Sequence, residues 1–371
     1  MNIGVLKEIK IGESRVGLTP EGVRRILESG SGNHSIFVEQ HAGELSGFSN
    51  AEYLNAGAKI LSTAKEVYKN STLIMHVKEP LPKEYSLLRA DHILFTYLHL
   101  AAAPELTKKL MSIGLTGLAY ETLEDEHHNL PLLAPMSKIA GKIAFIYGLN
   151  LQQKMLGGKG LYVGAIDGKA MGHCVVVGGG ILGFNAAESF IGIGANVTII
   201  ENNPEKRKTL KQQFPTATVL TPDLLNTVIL DADIVIGAAL VPGGRAPILI
   251  SKQQIDKMKP GTVIIDLAID QGGTTELSRP TSVENPTFIY NKVIFCCVPN
   301  IPAVFPQTST RLLTTATLPY VIALANQGLE ILHSNHSFQT ALNLYQGACT
   351  NKAVAEAVNV PYRSFASISK K

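Results

Sequence analysis

The stretch "CVVVGGGILGFNAAESFIGIGA" (174–195) decides the fold class of this chain. It places Gly178, Gly180 and Gly183 directly after an apolar run and directly before a segment with helical hydrophobic spacing. A G-x-G-x-x-G spacing alone is weak evidence, but between a strand and a helix it is typical of dinucleotide binding. Glycine permits the tight turn, and a helix N-terminus offers N–H groups to a pyrophosphate. The stretch therefore predicts a βαβ unit that binds a dinucleotide.

An acidic residue ends the next apolar run. Glu201 follows Gly183 at close to the ~20-residue spacing at which an acid binds the adenosine ribose. A carboxylate there repels the 2′-phosphate of NADP, so NAD is the predicted cofactor, although Lys206 and Arg207 stand nearby. The alternative is that the glycines only make a tight turn and Glu201 only faces water.

Apolar runs alternate with helical segments along most of the chain, which predicts an α/β fold with parallel sheets. Many of the runs are apolar at every position, as in strands buried on both faces. In the first part of the chain, strands are expected at 35–40, 72–80, 92–100 and 116–122, and helices at 20–30 and 104–114. In the second part, strands are expected at 174–180, 196–202, 216–220, 233–239, 262–268 and 293–298.

Two helical segments connect these parts. The segment 137–156 is long enough to join two domains, and Ser137 is a candidate for its N-cap. The segment 316–332 is expected to return to the first domain. The sequence thus predicts two α/β domains, a central Rossmann-type doubly wound parallel sheet at 136–306 and a discontinuous domain formed by 1–135 and 307–371.

Composition excludes several classes of protein. Hydrophobic residues make up 45% of the 371 residues and charged residues 17%, which indicates a folded protein. The net charge of +3 comes from mixed charges, so neither nucleic acid nor a membrane surface is an expected partner. The four cysteines form no C-x-x-C pair, and His127-His128 are expected in a solvated loop, so no metal site is predicted. Without an N-terminal leader pattern or an apolar run of ~20 residues, a cytoplasmic protein is expected.

The run "VIIDLAIDQGG" (263–273) carries two carboxylates at the end of an expected strand. Ligands of open α/β sheets lie beyond the carboxyl ends of the strands. Asp266 lies within the apolar run and is expected to be a hydrogen-bonded structural acid, whereas Asp270 lies in the loop and can act as a general base or position a water molecule. Taken alone, each aspartate is more commonly a turn or cap residue.

Three polar residues of the first domain suggest a small carboxylate substrate. Arg15 lies in a loop before a helix, Lys78 ends an expected strand, and His99 lies among aliphatic residues. Arginine binds carboxylates bidentately, and a histidine that titrates near neutrality can donate to a carbonyl oxygen. Each residue also has a structural explanation: a surface arginine, a lysine with a buried stem, and a histidine bonded to the backbone.

These motifs together resemble the alanine dehydrogenase family, which also includes the nucleotide-binding domains of proton-translocating transhydrogenase. The resemblance extends over nearly the whole chain. It rests on "GVLKEIKIGESRVGLTPEGV", "VKEPLPKEY", "ILFTYLHLAA", "LAYETL", "LPLLAPMS", "GGGILGFNAA", "ADIVIGAALVPGGRAP", "DLAIDQGG" and "TSTRLLTTATLPY". It implies NAD-dependent oxidative deamination of L-alanine to pyruvate and ammonium, the reverse amination, a cleft between the domains, and a homohexamer.

The resemblance also implies residue roles. Arg15 and Lys78 would bind the substrate carboxylate and carbonyl oxygen, and His99 and Asp270 would be the catalytic pair. The residues expected around the cofactor are Ser137, Gly178, Gly180, Ile181, Leu182, Gly183, Glu201, Lys206, Thr221, Ala239, Leu240, Leu267, Ala268, Ile269, Asp270, Arg279, Val298, Pro299, Asn300 and Ile301.

The chain departs from the family pattern at Lys138, Lys142, His76 and Thr315, and the contacts between the domains are where these changes are expected to act. Two alternatives remain at this point. One is a hydride-transfer subunit of a transhydrogenase, whose relatives lack the equivalents of His99 and Asp270. The other is a catalytically inactive NAD-binding protein.

Overall fold

The computed structural model describes residues 1–30, 34–239 and 246–369. In this part of the chain the strands are β1 (Asn2–Val5), β2 (Ser35–Glu39), β3 (Lys59–Leu61), β4 (Leu73–Met75), β5 (Ile93–Thr96), β6 (Thr116–Ala119), β7 (Ala165–Ile166), β8 (Lys169–Ala170), β9 (His173–Val177), β10 (Asn196–Ile200), β11 (Thr218–Leu220), β12 (Ile234–Gly237), β13 (Val263–Asp266), β14 (Thr287–Tyr290), β15 (Val293–Cys296), β16 (Leu342–Tyr345) and β17 (Ala348–Cys349).

The α-helices of the same part are α1 (Pro20–Glu28), α2 (Asn50–Asn55), α3 (Ala64–Asn70), α4 (Pro104–Ile113), α5 (Ala134–Leu151), α6 (Ile181–Gly192), α7 (Pro204–Gln213), α8 (Leu225–Val228), α9 (Lys252–Ile255), α10 (Pro306–Gln327), α11 (His336–Ala341), α12 (Lys352–Val358) and α13 (Phe365–Ile368). Short 3-10 helices lie between them, among them Leu100–Ala102 and Ile269–Gln271.

The chain forms two compact units. The first unit comprises Met1–Met136 and Ala303–Lys371, and the second comprises Ser137–Pro302. Each unit contains its own mainly parallel sheet, so the predicted α/β fold with two domains is confirmed.

The sheet of the first unit has the strand order β17-β16-β6-β5-β4-β1-β2-β3. Strands β1 to β6 pair in parallel, and β16 joins β6 in the antiparallel direction. Helix α10 belongs to this unit: the Thr310 hydroxyl lies 2.8 Å from the Ser46 hydroxyl and accepts a hydrogen bond from the Val16 N–H. The C-terminal return therefore completes the sheet and covers the first segment of the chain.

The sheet of the second unit has the order β11-β10-β9-β12-β13-β15-β14. Apart from β14, which is antiparallel to β15, neighbouring strands are parallel. When the six parallel strands are numbered among themselves in sequence order, they read 3-2-1-4-5-6, which is the strand order of the Rossmann fold. Strands β9 and β12 flank the point where that order reverses. Ligands of such sheets bind at this switch point.

In the central strands, the side chains on both faces of the sheet are buried. Val175, Val235, Ile264 and Phe295 belong to one apolar cluster on this sheet, and Val176 and Ile236, which point to the other face, are also inaccessible to solvent. Helices therefore cover both faces, as the uninterrupted apolar runs predicted. Burial of such side chains stabilises the unit by ~1.5–3 kcal/mol each.

Several predicted boundaries were wrong. The strands of the first unit are shorter than expected, so that Lys78 and His99 lie beyond the ends of β4 and β5. Helix α5 begins at Ala134 with a proline in its first turn, so Ser137 lies inside the helix and does not cap it. The last long helix begins at Pro306, ten residues before the expected start. Strands β1, β3, β16 and β17 were not predicted.

Candidate functional site

The glycine-rich turn connects β9 to α6 at the switch point of the second sheet. Gly178 has φ 105°, and a β-carbon there would lie 2.8 Å from the carbonyl carbon of Ala238. A β-carbon on Gly183 would lie 1.8 Å from the Gly178 carbonyl oxygen. Both positions therefore require glycine, one for the turn and its approach to β12 and the other for the close packing of α6 on β9.

Gly180 has a different role in this turn. It is the N-cap of α6 and no side chain caps that helix, while a β-carbon at Gly180 would meet no atom within 4 Å. The N–H groups of Ile181, Leu182 and Gly183 begin the helix, so their dipoles point toward this open space. The turn fits a dinucleotide pyrophosphate, which needs both an open approach to the backbone and donors at a helix N-terminus.

Glu201 follows β10 and is buried, so it does not face water. Its Oε2 accepts a hydrogen bond of 2.9 Å from the Gly179 N–H, and its Oε1 accepts one of 2.8 Å from the Asn203 N–H. The carboxylate is therefore fixed against the glycine turn. Each carboxylate oxygen has a second lone pair, so the group can still accept from a ribose hydroxyl.

The basic residues beside Glu201 differ in their contacts. The Arg207 guanidinium donates from Nη1 to the carbonyl oxygens of Glu201 and Asn202 at 2.9 and 2.7 Å. Lys206 is exposed, and its backbone N–H donates to the side chain of Asn203, which caps α7. Arg207 therefore supports the backbone at the end of β10 and is not directed at a 2′-phosphate.

The other residues predicted around the cofactor lie on several segments of the second unit. Ser137 is half-buried on α5, Thr221 is the N-cap of a 3-10 turn after β11, and Ala239 follows β12. Exposed Arg279 stacks its guanidinium over the Phe288 ring at 4.4 Å. Leu240 lies outside the described residues. The remaining predicted residues follow the carboxyl ends of β13 and β15, namely Leu267, Ala268, Ile269, Asp270, Val298, Pro299, Asn300 and Ile301.

Asp266 is the structural acid that the sequence predicted. It is fully buried at the end of β13, and its carboxylate accepts hydrogen bonds from the N–H groups of Ala268 and Thr274 and from the Ser278 hydroxyl. These contacts hold both ends of the loop 267–278 to the strand. The loop that carries Asp270 therefore has a fixed base.

Asp270 itself is exposed and lies in the 3-10 turn Ile269–Gln271. Its Oδ2 accepts a hydrogen bond of 3.2 Å from the Asn300 N–H, which connects the loop after β13 to the loop after β15. Gly272 and Gly273 have φ values of 102° and 84°, a conformation that side chains with a β-carbon rarely adopt. The two glycines let the chain turn back immediately after the carboxylate.

In the first unit, Arg15 is buried and forms an ion pair with Glu13. Its Nε and Nη2 donate to the two oxygens of Glu13 at 2.7 and 2.6 Å, and its Nη1 contacts the Met136 sulfur at 3.0 Å. Burial acts to lower the pKa of Arg15, but Glu13 outweighs it and the pKa is raised. The guanidinium is thus a fixed, permanent cation whose plane is set by Glu13.

Lys78 lies just beyond β4 and is 7% exposed. Its carbonyl oxygen accepts a hydrogen bond of 3.0 Å from the Thr96 hydroxyl on the neighbouring strand β5. The next residue, Glu79, forms an ion pair with Lys10. Backbone and neighbours therefore hold Lys78 at the same sheet edge that His99 occupies.

His99 follows β5 with φ 48°, and its backbone N–H donates to Glu121 at 2.6 Å. The Tyr97 ring stacks on its imidazole with 5.9 Å between centroids. The side chain keeps solvent access, yet protein surrounds it closely enough that desolvation, followed by the charges of Lys78, Lys10 and Arg15, lowers the pKa of His99 to about 3.

The lowered pKa differs from the expectation that His99 titrates near neutrality, because desolvation and, after it, three cations disfavour a positive charge on the ring. At neutral pH the ring is neutral, with one nitrogen as a donor and the other as an acceptor. Lys78, Lys10 and Arg15 thus lie within electrostatic range of His99 in the first unit.

Two supporting residues were missed by the sequence reasoning. Glu13 stands two positions before Arg15, and Glu121 stands in the quoted motif "LAYETL", where its carboxylate accepts from the N–H groups of Leu98 and His99. Burial raises the pKa of Glu121. The acid two residues before the arginine was a usable signal, but the contact from Glu121 to His99 depends on the alignment of β5 with β6.

The departures from the family pattern have the following contacts within their own units. His76 is buried in the first unit between Glu8 and Glu84. Lys142 forms an ion pair with Glu188 inside the second unit. The sites of Lys138 and Thr315 are exposed on α5 and α10.

Within the described residues, one group of side chains that could hold a metal ion lies on the first unit, formed by Glu124, His128 and His336. Their ligand atoms lie within 4.8 Å of one another, and both histidines are exposed. Tetrahedral zinc needs ligands ~3.5 Å apart, because its bonds are ~2.0–2.1 Å long. His128 was predicted in a solvated loop and is exposed, but its proximity to His336 was not predicted.

All four cysteines are free and buried, as predicted, and burial raises their pKa values. Among the described residues, we find no helix with the length and apolar content that crossing a membrane requires.

Comparison with known proteins gives matches over almost the whole chain. Residues 4–140 match "Alanine dehydrogenase/PNT, N-terminal domain", and residues 144–352 match "Alanine dehydrogenase/PNT, C-terminal domain". The chain is 42% identical over 372 residues to an alanine dehydrogenase of Halomonas elongata, covering 99% of this chain and 100% of the relative. It is 43% identical over 367 residues to an alanine dehydrogenase of Methanococcus maripaludis, covering 98% of each.

A solved structure agrees with these sequence matches. A protein described as L-alanine dehydrogenase superimposes with a TM-score of 0.92 at 42% identity, covering 97% of this chain and 99% of that one.

Proposed function

The chain belongs to the alanine dehydrogenase/PNT family, and we propose that it catalyses the NAD-dependent oxidative deamination of L-alanine to pyruvate and ammonium and the reverse reductive amination. The observation that carries this proposal is the identity of 42–43% to alanine dehydrogenases over almost the whole chain, in a structure that sets Lys78 and His99 just beyond the neighbouring parallel strands β4 and β5 and buries Arg15 in the same unit. Two cations beside a neutral imidazole suit a small oxo acid, which carries one carboxylate and one carbonyl oxygen.

Substrate binding is assigned to Arg15 and Lys78. The guanidinium of Arg15, oriented by Glu13, offers parallel N–H donors to a carboxylate. The Lys78 ammonium supplies a compact charge for the carbonyl oxygen. Because Arg15 is buried, its interaction with a carboxylate is screened less than a surface ion pair would be.

Proton transfer is assigned to Asp270, and polarisation of the substrate oxygen is assigned to His99. In the amination direction, the neutral His99 ring donates a hydrogen bond to the carbonyl oxygen of pyruvate, which stabilises the negative charge that develops on this oxygen as ammonia adds to the carbon. Asp270 accepts protons, one after the other, from the added nitrogen and passes them to the substrate oxygen, which leaves as water and gives an imine. A bound nicotinamide supplies the hydride for the substrate carbon. The reverse sequence serves deamination.

NAD is the proposed cofactor. Gly178, Gly180 and Gly183 would hold the pyrophosphate at the start of α6, and Glu201 would accept a hydrogen bond from the adenosine ribose. The fixed carboxylate of Glu201 disfavours a 2′-phosphate, and the contacts of Arg207 to backbone carbonyls support that preference. The other predicted cofactor residues remain part of this proposal.

The proposed partners are L-alanine, pyruvate and ammonium, in a cytoplasmic homohexamer without nucleic acid or membrane. Four free cysteines among the described residues support a reducing compartment. The homohexamer follows from the family resemblance, and sedimentation of the purified protein tests it.

The experiment follows NADH absorbance with pyruvate alone, ammonium alone, and both together. The proposal predicts NADH consumption only when both are present, with L-alanine as the product. Consumption with a second oxidised nucleotide and no oxo acid would instead indicate a transhydrogenase subunit. Binding of NADH without any turnover would indicate an inactive nucleotide-binding protein.

A further inference from the structure

His76 is fully buried, two residues before Lys78, and each of its ring nitrogens faces a carboxylate. Its Nδ1 lies 2.9 Å from Oε1 of Glu8, and its Nε2 lies 3.2 Å from Oε1 of Glu84. The ring is 1% exposed, so water does not replace either contact. An imidazole that meets a carboxylate at each nitrogen donates at both only as the imidazolium.

The surrounding groups favour this charged form. Burial alone would lower the pKa of His76, but Glu8 and Glu84 outweigh burial and raise it to about 10. The hydroxyl of Tyr68 on α3 donates to Oε1 of Glu84 at 3.0 Å, which leaves its oxygen free to accept from the ring 3.1 Å away. Glu39 on β2 is a further acidic group within electrostatic range of His76.

One bond connects this cluster to Lys78. Oε1 of Glu8, the atom that meets His76, also accepts a hydrogen bond of 2.6 Å from the Val77 N–H. The Val77 carbonyl accepts from the Tyr97 N–H at 3.3 Å, and the Lys78 carbonyl accepts from Thr96. The N–H of Val77, the residue before Lys78, is thus held by the Glu8 carboxylate, and the position of that carboxylate depends on His76.

We propose that His76 is a positioning residue, whose imidazolium clamps Glu8 and Glu84 and thereby sets the backbone from which Lys78 reaches the substrate. This inference rests on the proposed function for the identity of the substrate. The charge of Glu8 also acts on Arg15. Because His76 balances this buried negative charge, Glu8 competes less with the substrate carboxylate for Arg15.

The chain offers a matched control in His92. His92 is as buried as His76 and contacts the same Tyr68, since its Nε2 lies 3.0 Å from the Tyr68 carbonyl oxygen. Burial lowers the pKa of His92, so this ring is neutral. The two histidines therefore share a core but differ in charge and in their contact with Glu8.

The test compares His76→Gln, His76→Lys and His92→Gln in the full-length enzyme. His76→Gln is expected to raise KM for pyruvate roughly tenfold or more, because the clamp loses a charge-assisted hydrogen bond, with Kd for NADH unchanged. His76→Lys, which keeps a positive charge, is expected to restore most of the loss. His92→Gln is expected to leave KM for pyruvate within about twofold of wild type.

An NMR titration of the histidine rings supplies a second readout. The His76 ring is expected to stay doubly protonated from pH 6 to 9, and its signal is assigned by its loss in His76→Lys. A neutral His76 ring, or an unchanged KM in a folded His76→Gln protein, would overturn the inference. If His76→Gln does not fold, His76→Lys and the titration decide. Absence of any pyruvate turnover in wild type would reject the proposed function, while the ring titration still tests the charged clamp.

Discussion

The carbonyl oxygen of Gly178 lies 1.8 Å from the point where a β-carbon on Gly183 would be. No atom can occupy that space, so Gly183→Ala must displace either the turn or the start of α6. We expect this substitution to lower Tm of the protein and abolish NADH binding, because the helix N-terminus moves away from its position. Thermal unfolding and fluorescence titration with NADH measure both effects.

Gly180→Ala is the matched substitution in the same turn. The added methyl group meets no protein atom within 4 Å, and the backbone there has φ −68°, so the fold tolerates it. The methyl group does enter the space proposed for the pyrophosphate. We expect an unchanged Tm with Kd for NADH raised by roughly tenfold. Unchanged affinity for NADH in the folded Gly180→Ala protein would contradict the proposed position of the cofactor.

Arg15→Lys tests the assignment of the carboxylate-binding group. Lysine keeps the charge but loses the planar, bidentate geometry, and it no longer matches both oxygens of Glu13. We expect KM for pyruvate to rise roughly 10- to 100-fold, while Kd for NADH stays the same. Steady-state kinetics with NADH binding as the control measures the difference. Equal losses of NADH and pyruvate affinity would point to a folding defect instead.

The protonation of His99 gives a prediction about pH. Desolvation and the cations Lys78, Lys10 and Arg15 lower the pKa to about 3, so the ring remains neutral as pH falls from 7 to 5. We therefore expect that protonation of His99 causes no loss of kcat/KM for pyruvate between pH 7 and pH 5. A histidine NMR titration, with His99→Gln for assignment, checks this directly. A His99 midpoint near 6.5 would refute it.

The same residue affects stability in acid. An unfolded histidine takes up a proton near pH 6.5, whereas folded His99 does not until about pH 3. The unfolded state therefore binds more protons in this interval, and the free energy of unfolding falls as pH falls through it. We expect this acid dependence to be weaker in His99→Gln. Urea unfolding at several pH values between 7 and 4 measures the two slopes.

The contribution of His76 to stability has the opposite pH dependence to that of His99. Its folded pKa is raised to about 10 from an ordinary 6.5, so its contribution to stability is complete below pH 6.5 and is lost as pH rises toward 10. We expect wild type to lose more stability than His76→Gln between pH 7 and 10. Equal losses in the two proteins would mean that the ring is neutral when folded.

The glycine turn and the parallel second sheet were predictable because their signals are local. Gly178 is required by its backbone conformation and Gly183 by its close approach to the Gly178 carbonyl oxygen, and the strands around them are apolar on both faces. The roles of Asp266 and of the glycines after Asp270 followed from the same kind of local pattern.

The remaining features depend on contacts between distant residues. Strands β3 and β17 have three and two residues, too few to show a period. The backbone contact of Glu121 with His99 joins residues 22 positions apart, and the contact of Glu8 with His76 joins residues 68 apart. The neutral state of His99 and the charged state of His76 both depend on neighbours that only the folded sheet brings together.

The central claim is that Asp270 transfers protons while hydride passes to the α-carbon of alanine, and isotope transfer tests it most directly. NADH deuterated at the transferring position is mixed with pyruvate, ammonium and either wild type or Asp270→Asn. The account predicts deuterium on the α-carbon of alanine for wild type, and little or no alanine from Asp270→Asn at NADH concentrations that saturate the variant. Alanine formed by Asp270→Asn at the wild-type rate, or formed by wild type without deuterium, would contradict it.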